Sequence, residues 1–189
     1  MEDEAAREAE GLDLLPVGPL PRGTIEALAA RLSRDVALPC RAQPPPPLPL
    51  LPLPGREQLD AFALLRELEG LTTRDRGRIL VGVTARDVAT PVFTFVFGLA
   101  RPGGRAILVS LARLDPPFYG LAPDDDLRDA RAAAEIRHEL GHLAALEHCP
   151  DAGCLMGFAG SVEKADARGS RFCPVCTRRL PPWLRRAPY

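Results

Sequence analysis

Residues 138–149 read HELGHLAALEHC, and they hold every histidine of the 189-residue chain: His138, His142 and His148. A spacing of four places His138 and His142 on one face of a helix, a turn apart. His148 lies six residues beyond His142, so the helix must end near Ala144 or Ala145 and the chain must fold back. Three neutral imidazoles at these intervals suit a catalytic zinc ion with one coordination position left open for water. Glu139 follows the first histidine directly, beside the metal position without having to bind it, where it can take that water's proton. An HExxH alone arises by chance; a third histidine at this offset, in a chain with no other, argues against accident.

Four of the five cysteines follow closely. Cys149 is next to His148, Cys154 comes five residues later, and Cys173 and Cys176 form a C-x-x-C pair. Two close pairs of thiolates make a closed, structural zinc site. A redox role for the second pair leaves the first unexplained, and no thioredoxin-like βαβ unit precedes it. Cys40, far upstream, reads as a buried strand thiol.

Upstream, strand and helix signals alternate. Residues 12–17, 36–40, 78–84, 93–99 and 106–114 read as strands, with 78–84 (RILVGVT) a continuous apolar strand and therefore central. The turn residues Arg101-Pro102-Gly103-Gly104 join the last two as an antiparallel hairpin. Residues 24–32 and 57–68 have helical spacing, and Asp124, Asp125 and Asp126 offer caps and favourable charge for a long helix reaching Ala144. Residues 44–54 (PPPPLPLLPLP) exclude regular pairing and read as a stiff, exposed, polyproline-like connector.

Composition narrows the class. Apolar residues make up 46% and charged residues 26%, and the net charge is -1, which gives the whole chain no bias toward polyanions. The first ten residues are acidic (Glu2, Asp3, Glu4, Glu8, Glu10) and the end is basic (Lys164, Arg168, Arg171, Arg178, Arg179, Arg185, Arg186). Without a signal-like or membrane-length apolar run, the expectation is a soluble, cytoplasmic protein whose cysteines are thiols or metal ligands.

The pattern His138-Glu139-x-x-His142-x-x-Ala145-x-x-His148-Cys149, four residues, Cys154-Leu155-Met156, sixteen residues, Cys173-x-x-Cys176 resembles the archaemetzincins, zinc peptidases of the metzincin clan. The resemblance spans residues 137–176 by motif. It implies an α/β fold: a twisted, mixed five-stranded sheet with an antiparallel edge strand (residues 93–99 here), a backing helix and an active-site helix. A small zinc-stapled C-terminal subdomain, 149–189, would follow the α/β part, 1–148. It implies two zinc ions: a catalytic one on His138, His142 and His148, and a structural one on Cys149, Cys154, Cys173 and Cys176. Glu139 would be the general base and acid, Met156 the Met-turn residue under the imidazoles, and a peptide or protein the substrate, pairing with the edge strand. No membrane partner is implied, and nucleic acid is disfavoured. The chain departs from the family pattern at Ala145, where a turn glycine is usual. The competing reading is a catalytically silent, zinc-stabilised peptide- or nucleic-acid-binding module. It draws on the cysteine knuckle and the basic end, and a retained Glu139 argues against it.

Overall fold

The computed structural model describes residues 9–36, 38–72 and 77–185. Most of the acidic first stretch (Glu2, Asp3, Glu4, Glu8) and Arg186 of the basic end lie outside the described residues.

In chain order the elements are β1 (Gly11–Pro16), α1 (Thr24–Asp35), β2 (Cys40–Ala42), β3 (Leu59–Asp60), α2 (Ala61–Leu71), β4 (Arg78–Thr84), β5 (Val88–Ala89), β6 (Gly98–Ala100) and β7 (Ala106–Ser110). A short 3-10 turn at Pro116–Tyr119 leads to α3 (Asp125–Leu143), α4 (Val162–Ala167), α5 (Pro174–Arg179) and α6 (Pro182–Arg185). Five strands form one sheet in the order β2-β1-β4-β7-β6. All neighbours are parallel except β6, which runs antiparallel to β7 at the edge. β4 lies mid-sheet, as expected for residues 78–84; it is covered on both faces, and its run 79–83 is apolar on both for that reason.

Alternation along the strands divides the core. Leu12, Leu14, Ile79, Val81, Val83, Ile107 and Val109 pack against α1 and α3 on one face. Leu15, Val17, Ala106 and Leu108 pack against α2 on the other. Leu155, Met156, Val162 and Phe172, from the segment after the histidines, join the first cluster. Among the described residues no helix is long and apolar enough to cross a membrane.

Several boundaries differ from the sequence expectation. The second strand is Cys40–Ala42, not residues 36–40. Val36 is the C-cap of α1, donating its N–H to the Leu32 carbonyl at 2.8 Å, and Ala37 lies outside the described residues. Cys40 is accordingly half-buried at the start of an edge strand, not in a covered one. Helix α2 starts at Ala61 instead of Glu57 because Asp60 is its cap, accepting from Phe62 and Ala63 N–H at 2.9 and 3.1 Å. Leu59, freed from the helix, pairs with Val88 in a second, two-stranded sheet that apolar patterning did not reveal. Of residues 93–99 only the last two enter the edge strand, and β7 stops at Ser110, short of Leu114. The proline-rich segment is not simply exposed. Leu53 is buried, and Leu48 and Leu50 pack on the α2-side core, so one side of this extended chain is part of the fold.

Candidate metal centre and its surroundings

Helix α3 carries the site because its sequence satisfies both ends. Asp124 caps the start, accepting the Leu127 N–H at 2.9 Å, and Asp125 and Asp126 complement the positive end of the helix dipole. Ala132, Ala133, Ile136 and Leu140 bury the face toward the sheet. His138, Glu139 and His142 occupy the last turns before Leu143.

The helix ends in a Schellman turn. Ala144 is the C-cap, the Ala145 N–H reaches the His142 carbonyl at 2.9 Å, and the Leu146 N–H reaches the Gly141 carbonyl at 2.9 Å. Ala145 has φ of 58°, the left-handed conformation in which glycine is usual, and is the one non-glycine residue with positive φ among those described. The departure seen in the sequence therefore does not shift the turn; alanine bears the strain, about 1 kcal/mol. Ala145→Gly is expected to raise stability by about 0.5–1 kcal/mol without moving the histidines. Urea unfolding of the two zinc-saturated proteins checks this, and an unchanged or lower midpoint would contradict it.

The reversal brings His148 back. One ring nitrogen from each of His138, His142 and His148 lies within 4.8 Å of the others, and ring centroids are 4.6, 4.9 and 5.3 Å apart. The Nε2 atoms of His138 and His142 stand 3.0 Å apart. Their Nδ1 atoms face backbone carbonyls, His138 to Leu155 and His142 to Leu146, each at 2.8 Å. Each Nδ1 therefore carries the proton and donates, which leaves the Nε2 lone pairs converging. Two facing lone pairs repel unless a cation lies between them, and tetrahedral zinc sets its nitrogen ligands about 3.3 Å apart. The donor set thus fits zinc, with His138 buried, His142 half-buried and His148 exposed. Burial pushes His138 down to about 4, and burial and then the neighbouring His142 lower His148. Neutral rings are the form that binds metal.

Glu139 lies beside this cluster, 4% exposed. Burial, and then the nearby Glu135 carboxylate, raise its proton affinity well above the usual carboxylate range. Its carboxylate faces Gly98 of the edge strand: a Cβ at Gly98 would stand 2.7 Å from Glu139 Oε1. Met156 is fully buried beneath α3, with its sulfur pressed against Gly141 where any Cβ would collide with it.

Two residues that no motif singled out complete the surroundings. Arg168, just after α4, donates to Glu135 at 2.7 Å, and both side chains are almost fully buried. Its Nη1 also lies 2.9 Å from His138 Nδ1, but that nitrogen already donates to Leu155; the Gly157 carbonyl, at 3.5 Å, is the available acceptor. Glu135 was open to discovery, since it sits three and four residues before His138 and Glu139 on the same helix face. Arg168 was not, because only the fold brings it there.

The four cysteines converge separately. Their sulfurs lie within 4.8 Å of one another, none is in a disulfide, and Cys149 and Cys173 Sγ are 3.8 Å apart. That separation equals the edge of a zinc-thiolate tetrahedron, about 3.8 Å. Backbone N–H groups of Met156 and Cys173 approach Cys154 Sγ at 3.4 and 3.2 Å. The Cys176 N–H at the start of α5 lowers the Cys173 thiol to about 7. All four sulfurs gathering at one point leaves no separate redox pair.

A cleft of about 340 Å³ opens over the histidines. Its far wall is the segment 90–97 leading into β6, which is held from behind: Arg56 donates to the Phe93 carbonyl at 3.0 Å, and Gln58 to the Thr94 carbonyl at 2.8 Å. Arg113 is gripped by Asp87 at 2.8 Å and lies against the Phe95 ring, 4.3 Å from its centroid. Phe62, Phe93 and Phe158, each at least two-fifths exposed, line the opening.

The model of peptidase family M54 matches residues 56–181. The chain is 40% identical over 125 residues to an archaemetzincin of Pyrococcus horikoshii, covering 66% of each chain. It is 42% identical over 131 residues to one of Methanopyrus kandleri, covering 69% of this chain and 70% of that one. The alignments thus span about two thirds of the length of these relatives. Among solved structures, a zinc-dependent peptidase from Methanocorpusculum labreanum superposes with a TM-score of 0.80 at 29% identity, covering 90% of this chain and all (100%) of that one. The Methanopyrus kandleri archaemetzincin superposes with a TM-score of 0.73 at 33% identity, covering 90% and 92%. By sequence and by fold, this chain belongs to peptidase family M54, the archaemetzincin metallopeptidases.

Proposed function

We propose that this chain hydrolyses peptide bonds at the three-histidine cluster, with Glu139 as the proton shuttle. The observation that carries the reading is the buried Glu139 carboxylate, which lines the same cleft as the converging imidazoles and packs on Gly98 of the edge strand β6. Zinc held by His138, His142 and His148 would supply a Lewis acid that polarises the scissile carbonyl and acidifies water. Glu139 takes a proton from the attacking water and returns it to the leaving amine, a role that a carboxylate of raised proton affinity suits. Met156 supports the imidazoles from below, and Cys149, Cys154, Cys173 and Cys176 hold a second, closed zinc that organises the subdomain from residue 149 onward.

The substrate is an extended peptide. Among the described residues β6 ends the sheet with one side unpaired, and Gly98 lets a backbone approach Glu139 without a side chain between them. The phenylalanines around the opening favour bulky apolar side chains beside the scissile bond. A peptide-library assay of the zinc-loaded protein tests the reading. Cleavage should cease on mild chelation, which empties the open site first, and return with added zinc. Cleavage that survives removal of the histidine-bound metal would refute it. Phe93→Ala should lower kcat/KM for an aromatic-containing peptide by about 10-fold and leave a glycine-containing one unchanged; an equal effect on both would remove Phe93 from substrate selection.

A further inference from the structure

The two metal clusters are separate in space but share a backbone. Leu155, between Cys154 and Met156, is fully buried, and its carbonyl orients His138 through Nδ1 at 2.8 Å. Its own N–H donates to the Arg171 carbonyl at 2.8 Å, two residues before Cys173. Cys149 is peptide-bonded to His148, and its N–H donates to the Met156 carbonyl at 2.8 Å. The Cys154 sulfur receives the N–H groups of Met156 and Cys173, so one sulfur pins both strands of this framework. Arg168, on the loop that leads back to Cys173, clamps Glu135 one helical turn before His138. His142 alone is oriented by the turn that closes its own helix, through the Leu146 carbonyl. Two of the three imidazoles are therefore aimed by backbone that the cysteine cluster holds in place.

We infer that occupancy of the four-cysteine site sets the metal affinity of the three-histidine site, with the Leu155 carbonyl and the His148-Cys149 peptide as the connection. The inference rests on the reading of both clusters as zinc sites. Partners that orient a metal-binding imidazole are worth 10–100-fold in metal affinity, so emptying the cysteine site should weaken zinc at the histidines by about that factor. Coupling between two binding equilibria is reciprocal: filling the histidine site should tighten the cysteine site equally.

The test measures metal affinity, not hydrolysis. Zinc affinity at the histidines is read by chelator competition in the full chain, in Cys173→Ala, and in Cys173→His, which restores a fourth donor. A loss of about 10–100-fold in Cys173→Ala with recovery in Cys173→His supports the coupling. An affinity within twofold of the parent while the cysteine site is empty overturns it. Should Cys173→Ala not fold, the reverse arm decides: His142→Ala empties the histidine site without touching the shared backbone. Cobalt(II), whose thiolate charge-transfer bands report only the cysteine site, should then bind that site about 10–100-fold more weakly than in the parent with its histidine site filled; binding equal to that of the filled parent overturns the coupling. If the parent holds no metal at the histidines, the proposed function and this inference both fall. If it does and the affinities are independent, only the coupling falls.

Discussion

Replacing Glu139 with glutamine should leave the metal content of the protein unchanged and lower peptide hydrolysis by about 10²–10⁴-fold, the usual worth of a positioned general base and acid. The reasoning is geometric. Glu139 points from α3 toward Gly98 of β6, lines the same cleft as the three imidazoles, and has Glu135 and Arg168 beside it. Glutamine has nearly the same shape and keeps a hydrogen-bonding end, so neither the helix nor the histidines need move. What disappears is the ability to accept a proton. Burial and the repulsion of Glu135 hold the native carboxyl's proton affinity high, which matches it to a group that takes a proton and then gives it back. Metal analysis beside kcat on zinc-loaded protein decides the point. Parent-like turnover in the variant would mean another group moves the proton, and lost metal would mean Glu139 belongs to the binding set.

Arg168→Met should destabilise the fold by about 3–5 kcal/mol, the cost of leaving one member of a buried ion pair without its partner. Arg168 and Glu135 are 5% and 7% exposed, so solvent cannot compensate either charge. Converting both to apolar residues, Glu135→Leu with Arg168→Met, should recover most of that loss, because a buried pair contributes little net stability over well-packed hydrophobes. Urea unfolding of the three proteins at saturating zinc measures the difference. A single variant within about 0.5 kcal/mol of the parent would show that the pair is more solvated than its burial indicates. An additive loss in the double variant would show that packing, not charge, is what the pair supplies.

How much of this could be read in advance differed by element. The long helix was legible because its capping aspartate, acidic first turn and apolar face all agree, and it runs from Asp125 to Leu143 with Asp124 as cap. The central strand was legible because coverage on both faces leaves no polar position in its apolar run. Short elements were harder. Residues 93–97 have a strand's composition, yet Phe93 turns onto the Thr90 hydroxyl and Arg56 and Gln58 take the carbonyls a ladder would use. The strand at residues 36–40 failed for a related reason: apolar character at Val36 reflects its place under the end of α1. Local propensity cannot see side chains that arrive from distant segments.

The amino-acid sequence by itself determined the residue types of both candidate metal clusters, the helical placement of His138, Glu139 and His142, and the end of that helix near Ala145, because helix periodicity and backbone sterics act within a few residues. Tertiary structure alone decided what those residues face. It set Gly98 against Glu139, Arg168 against Glu135, and the Leu155 carbonyl against His138. Each of these contacts joins segments 17 to 41 residues apart in the chain. The physical reason is that aiming an imidazole or raising a carboxylate's proton affinity depends on burial and on partners in space, and burial is a property of the packed molecule. The twelve residues at 138–149 name the chemistry; the packing around them sets its geometry.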